Sequence, residues 1–206
     1  MATSITGAAV SAFAQLVILG IIPLLFYSSY HKWRNKLGWR EIAKRAGLQN
    51  CSYRYLLVSA FFAAASVAAA FIWLPPPDVL AREGTALYDF VGLELGVHAI
   101  TLVLLHTVIK TGLTEEILFR GLIAGSISRR LPTFWANITQ SLIFLLPHLL
   151  IIYIMPDMWA LLPIVFISGL VVGWIRIKSG SIIGPWLIHA STNLAVALSI
   201  VIRTSA

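Results

Sequence analysis

The sequence predicts an all-α protein, a polytopic membrane helix bundle of about six transmembrane helices plus a short cytoplasmic amphipathic helix. Three observations predict it. Hydrophobic residues make up 59% of the 206 and charged residues only 11%, far from the balance of a soluble domain of this length. The apolar residues fall in runs of the length, roughly 20 residues, that spans a hydrocarbon core of about 30 Å. The basic residues gather in alternate turns between those runs. Length leaves no room for a separate soluble domain, so residues 1–206 are expected to form a single membrane domain.

The first span runs from Ile5 to about Tyr30 without a charge and ends in Phe26, Tyr27 and Tyr30, aromatic residues suited to the headgroup level. It lacks a basic start and is long and late for a cleavable signal, so it is expected to be retained. Residues 31–54 form a basic cytoplasmic or interfacial loop, with Lys32, Arg34, Lys36, Arg40, Lys44, Arg45 and Arg54 against Glu41 alone. Trp33, Trp39, Ile42 and Leu48 give this stretch an apolar side, the pattern of a short amphipathic helix that anchors topology. The second span, Tyr55 to Leu74, has an alanine-rich centre for close packing and is stopped by Pro75, Pro76 and Pro77.

An acidic loop with Asp78, Glu83 and Asp89 leads to the third span, about Phe90 to Ile123. It is the least oily of the set, carrying Glu94, His98, His106 and Lys110 before a cluster of Glu115, Glu116 and Arg120, and so belongs inside the bundle. Glu94 and His98 are spaced to pair on one helix face, and with His106 and Lys110 they read as interior polar groups or a water path. The fourth span is Phe134 to Met155. The fifth is Trp159 to Ile177, with Gly169 and Gly173 four apart for close backbone approach, and the sixth is Ile182 to Ile202.

Alternating these spans places seven, two and two basic residues in the loops of one side, eleven in all, against Arg82 and Arg203 on the other. The positive-inside rule then puts both termini outside and the basic loops in the cytoplasm, as in a prokaryotic inner membrane. The bilayer, and no nucleic acid, accounts for the basic balance. Cys51 is the only cysteine, which excludes an intrachain disulfide and a cysteine metal cluster.

Three charged residues in an oily run ask for partners, since each costs roughly 2.5–3.5 kcal/mol near the bilayer centre on insertion scales. Glu116 and Arg120 are four apart and can form a fixed ion pair, while Glu115 points about 100° away toward other helices. Phe144 with His148, and His189 with Asn193, supply such groups from two later spans. His189 lies roughly 10 Å into its span, which matches the depth of Glu115; His148 lies roughly 20 Å along its own, where Pro147 is expected to kink the helix into line. A carboxylate withdrawn from bulk water can take a proton from a bound water, and an imidazole can share it. His189 and Asn193, one turn apart, can both donate to the oxygen of an attacked carbonyl. Together these groups describe amide hydrolysis without a covalent intermediate.

Glu115-Glu116-x-x-x-Arg120, Phe144-x-x-x-His148 and His189-x-x-x-Asn193, in that order on successive apolar segments, resemble the three motifs of the CPBP (Abi) family of intramembrane proteases. That family includes the CAAX prenyl endopeptidases and bacteriocin-processing or immunity proteins. The similarity covers about residues 90–200, the expected catalytic core, and extends to Phe119-Arg120-Gly121 and Gly180-Ser181. It implies an endopeptidase acting on a membrane-associated protein or peptide, with Glu115 and His148 as the water-activating pair and His189 and Asn193 at the oxyanion. Glu116, Arg120 and Phe144 support the site. No cofactor is favoured; a zinc-dependent version of the protease would use Glu115, His148 and His189 as ligands with water in the fourth place. A transporter or proton relay uses the same residue types, and a non-enzymatic immunity protein is a further alternative. Ser191 and Thr192 do not make a serine protease, because no Asp is in place to orient a base.

Overall fold

The computed structural model describes residues 4–73 and 75–205, and among them every regular element is helical. The helices are α1 (Ile5–Trp33), α2 (Trp39–Arg45), α3 (Tyr53–Trp73), α4 (Pro77–Leu80), α5 (Val97–Ile127), α6 (Thr133–Ile154), α7 (Leu161–Ser179) and α8 (Ile183–Thr204). Among the described residues, α1, α5 and α8, with Tyr53–Ile72 of α3 and the stretch Pro156–Ser179 that contains α7, are long and apolar enough to cross a bilayer. The expected fourth span coincides with the 22-residue α6, in which Pro147 lies without ending the helix. The expected end of the second span at Leu74 lies outside the described residues.

Two boundaries depart from the sequence reading. The third span begins at Val97, not Phe90, because Gly92 adopts a positive φ of 72° and Gly96 is fully extended, conformations that a helix cannot contain. Glu94 therefore precedes α5, and the helical spacing argued for Glu94 and His98 does not apply. At its other end α5 continues to Ile127, into the expected turn. Within the basic loop, the stretch between the end of α1 at Trp33 and the start of α3 at Tyr53 is helical only over the seven residues of α2. Arg45 donates to Glu41 at 2.9 Å across one turn of α2, which holds that exposed carboxyl below its ordinary range.

The chain forms two compact units, with α1, α3, α5 and α8 contributing to both. In the first (residues 1–21, 60–115 and 186–206), α1 packs on α5 and Gln15 Nε2 donates to Lys110 O at 2.9 Å. Val103, Thr107, Ala197 and Ile200 are fully buried there. The second unit (residues 22–59 and 116–185) is built on the α6–α7 pair. Gly169 and Gly173 face Ser141 and Gln140, and the missing side chains let Asn137 and Gln140 donate across to Leu170 O and Gly169 O, both at 2.9 Å. The small-residue spacing in the sequence thus marks a close helix contact sealed by amides.

Candidate active site

The backbone of α5 widens into π-helix over Leu105–Leu113 and again over Glu116–Ala124, leaving Thr114 and Glu115 as an α-helical step between. Two threonines follow the wider turn, Thr111 donating to His106 O and Thr114 to Ile109 O, each five residues back and each at 3.1 Å. π-helical turns inside a helix cluster at functional sites, because they re-aim the side chains around them.

In the first unit, Glu115 and His189 come together, with Oε2 and Nε2 3.8 Å apart and both side chains partly exposed. The distance exceeds a direct hydrogen bond. A water oxygen about 2.8 Å from each atom would bridge them. One turn along, Asn193 Nδ2 donates to Thr111 Oγ1 at 3.0 Å. The register between α5 and α8 is fixed by Gly112, where an added Cβ would meet Ala190 and Trp186 at 3.3 and 3.4 Å, and by the indole of Trp186 donating to Val108 O at 2.9 Å. Thr192 is occupied with Ser66 Oγ and Ile188 O, both at 2.8 Å.

In the second unit, Arg120 and Glu116 form an ion pair at 3.1 Å with almost no exposure. The guanidinium carbon also lies 3.8 Å from the centre of the Phe144 ring, a cation–π contact strengthened by desolvation. Phe144 packs in turn against Phe119 and His148. Its carbonyl lies 3.0 Å from His148 Nδ1. A carbonyl can only accept, so Nδ1 carries the proton and a neutral His148 has its basic lone pair on Nε2. Phe144 thus does more than pack: its ring covers a buried cation and its carbonyl sets the tautomer of His148.

Arg176 was legible only as a cytoplasmic charge. It is buried, and it donates from Nε to Arg120 O and from Nη2 to Arg45 O, both at 2.9 Å. The segment it holds, Arg45–Gln49, lies on α5 at two glycines: a Cβ at Gly121 would stand 2.8 Å from Ala46 O, and one at Gly125 2.7 Å from Arg45 O. The same segment is tied to the α7–α8 turn through Ser181 Oγ to Gln49 O at 2.6 Å, Gln49 Nε2 to Gly180 O at 2.9 Å, and Ile182 N to Gly47 O at 3.0 Å. Gly121, Gly125 and Gly180 are the sequence signals that mark this contact. Nothing local marks Arg176 or Thr111.

Glu115 and His189 offer two metal-donor groups in the first unit, and among the described residues no group of three His, Cys, Asp or Glu is gathered for a metal ion.

Residues 97–195 match the family model described as type II CAAX prenyl endopeptidase Rce1-like. The matched stretch opens with α5 and contains all three sequence motifs. No curated protein and no solved structure matches the chain.

Proposed function

From the match of residues 97–195 to the Rce1-like endopeptidase family model, we propose that the chain is an integral membrane endopeptidase, hydrolysing a peptide bond of a membrane-associated protein or peptide with an activated water. The observation that carries this reading is the approach of Glu115 to His189, an acid and an imidazole from two apolar helices brought to 3.8 Å. Glu115 takes a proton from water as the water oxygen attacks the carbonyl carbon. The carbonyl π pair moves onto oxygen, and the negative charge formed there is met by N–H groups of His189 and Asn193. The C–N bond then breaks, and the leaving nitrogen receives the proton that Glu115 accepted.

His148 enters on the order of the motifs alone, as the second member of the water-activating pair; its Nδ1 bond to Phe144 O leaves Nε2 as its basic nitrogen. Glu116, Arg120 and Phe144 hold the helix that presents Glu115. The substrate reaches the site from the bilayer, and the basic loops face the cytoplasm.

The test uses purified protein in detergent micelles or proteoliposomes with a fluorogenic peptide carrying a membrane anchor. The wild-type chain cleaves it. Glu115→Ala does not, although it is expressed and folded. Cleavage retained in Glu115→Ala overturns the reading, and proton-coupled uptake into vesicles without any proteolysis replaces it with a transporter.

A further inference from the structure

We infer that Thr111 is a positioning residue that aims the amide of Asn193 at the oxyanion, a reading that rests on the hydrolytic function proposed above. The argument starts from the single proton of the Thr111 hydroxyl. Oγ1 lies 3.1 Å from His106 O and 3.5 Å from Thr107 O, and carbonyl oxygens only accept, so the proton is directed into the helix backbone. The hydroxyl therefore meets Asn193 with a lone pair. That fixes which end of the amide faces it: Asn193 must present Nδ2, as it does at 3.0 Å, because Oδ1 would set two acceptors against each other.

One N–H of Nδ2 is engaged by Thr111, and the planar amide then gives the other a set direction. An oxyanion donor is worth most when its direction is fixed before charge develops, since no reorganisation is needed at the moment of reaction. A threonine at this point serves better than an alanine or a valine. The π-helical turn sets which carbonyl the hydroxyl meets, bringing the one five residues back to 3.1 Å against 3.5 Å for the one four back. Thr111 lies one turn before Glu115 and Asn193 one turn after His189, so the same two helices carry the acid, the imidazole and this orienting contact.

The experiment compares Thr111→Val, which keeps the shape and removes the hydroxyl, with Thr111→Ser, which restores it, in the full-length chain with the anchored peptide. Thr111→Val should lower kcat by about ten- to a hundredfold with KM little changed, somewhat less than loss of the donor itself, and Thr111→Ser should recover most of it. A peptide aldehyde, whose hydrate mimics the tetrahedral species, should bind Thr111→Val more weakly by the same factor, while the uncleaved peptide binds as before. In the double variant Thr111→Val/Asn193→Ala, the loss should equal that of Asn193→Ala alone. A kcat for Thr111→Val within about twofold of wild type, or a double variant whose losses multiply, overturns the inference and leaves the protease reading intact. An inert wild-type chain overturns the protease reading itself. A fall in melting temperature without the aldehyde effect assigns Thr111 to packing and also overturns the inference.

Discussion

Asn193 is joined to Thr111 at 3.0 Å, and one turn along the same two helices His189 stands 3.8 Å from Glu115. The two pairs run in opposite chain directions, as rungs between antiparallel helices. The acid and the amide therefore cannot be moved independently: a shift of α8 along α5 alters both at once. Four consequences can be measured.

The first concerns the acid. Glu115→Gln keeps size and shape but removes the proton acceptor, and should lower kcat by about a hundred- to ten-thousandfold, the range of a general base. Thermal unfolding followed by tryptophan fluorescence should change little, because Glu115 is partly exposed and the substitution keeps its shape. A variant that cleaves at more than about a tenth of the wild-type rate rules out Glu115 as the base.

The second concerns the charge formed at the carbonyl oxygen. Asn193→Ala should cost about a hundred- to a thousandfold in kcat, with KM altered far less. His189→Ala should cost at least as much, since it also removes the neighbour of Glu115. Stopped-flow cleavage of the anchored peptide separates kcat from KM. A rise in KM alone would assign these residues to substrate binding.

The third concerns the buried pair. Arg120→Met should destabilise the protein by about 3–5 kcal/mol, because it leaves Glu116 charged in a site closed to water. Glu116→Gln combined with Arg120→Met should recover part of that loss, since no lone charge then remains. Melting curves in detergent distinguish the two variants, and equal melting temperatures would show that the pair carries no buried charge.

The fourth concerns the glycines under residues 45–46. Gly121→Ala and Gly125→Ala each drive a methyl against a backbone carbonyl and should cost about 1–3 kcal/mol, with activity falling as the protein loosens. Gly96→Ala is the control, because an added Cβ there meets nothing within 4 Å. Dialysis against a chelator belongs in the same series of measurements. Activity that survives it supports the metal-free mechanism, whereas activity lost and restored by zinc establishes a zinc-dependent one.

The helices were legible because a bilayer imposes one length and one composition on every crossing, which the apolar runs from Ile5 to Ile202 display directly. The start of α5 was not, since Leu93, Leu95 and Val97 continue the apolar run and the break comes from the backbone of Gly92 and Gly96. The ion pair of Glu116 and Arg120 follows from helical spacing alone. The hydrogen bonds of Arg176 do not, because its acceptors are carbonyls that every residue possesses, 56 and 131 positions away. Thr111 escaped notice for a related reason: a hydroxyl in an apolar helix ordinarily bonds its own backbone, and the partner across the gap lies 82 residues on.

The segment from Arg45 to Gln49 is made early and seated late. Every group that grips it arrives long after it has left the ribosome: Gly121 and Gly125, then Arg176, then Ser181. Until α7 and the turn beyond it emerge, the hydrogen bonds from Arg176, Ser181 and Ile182 that tie this stretch down are missing. Truncation before residue 176 should therefore leave it open to proteases, and its protection should mark the last step of assembly.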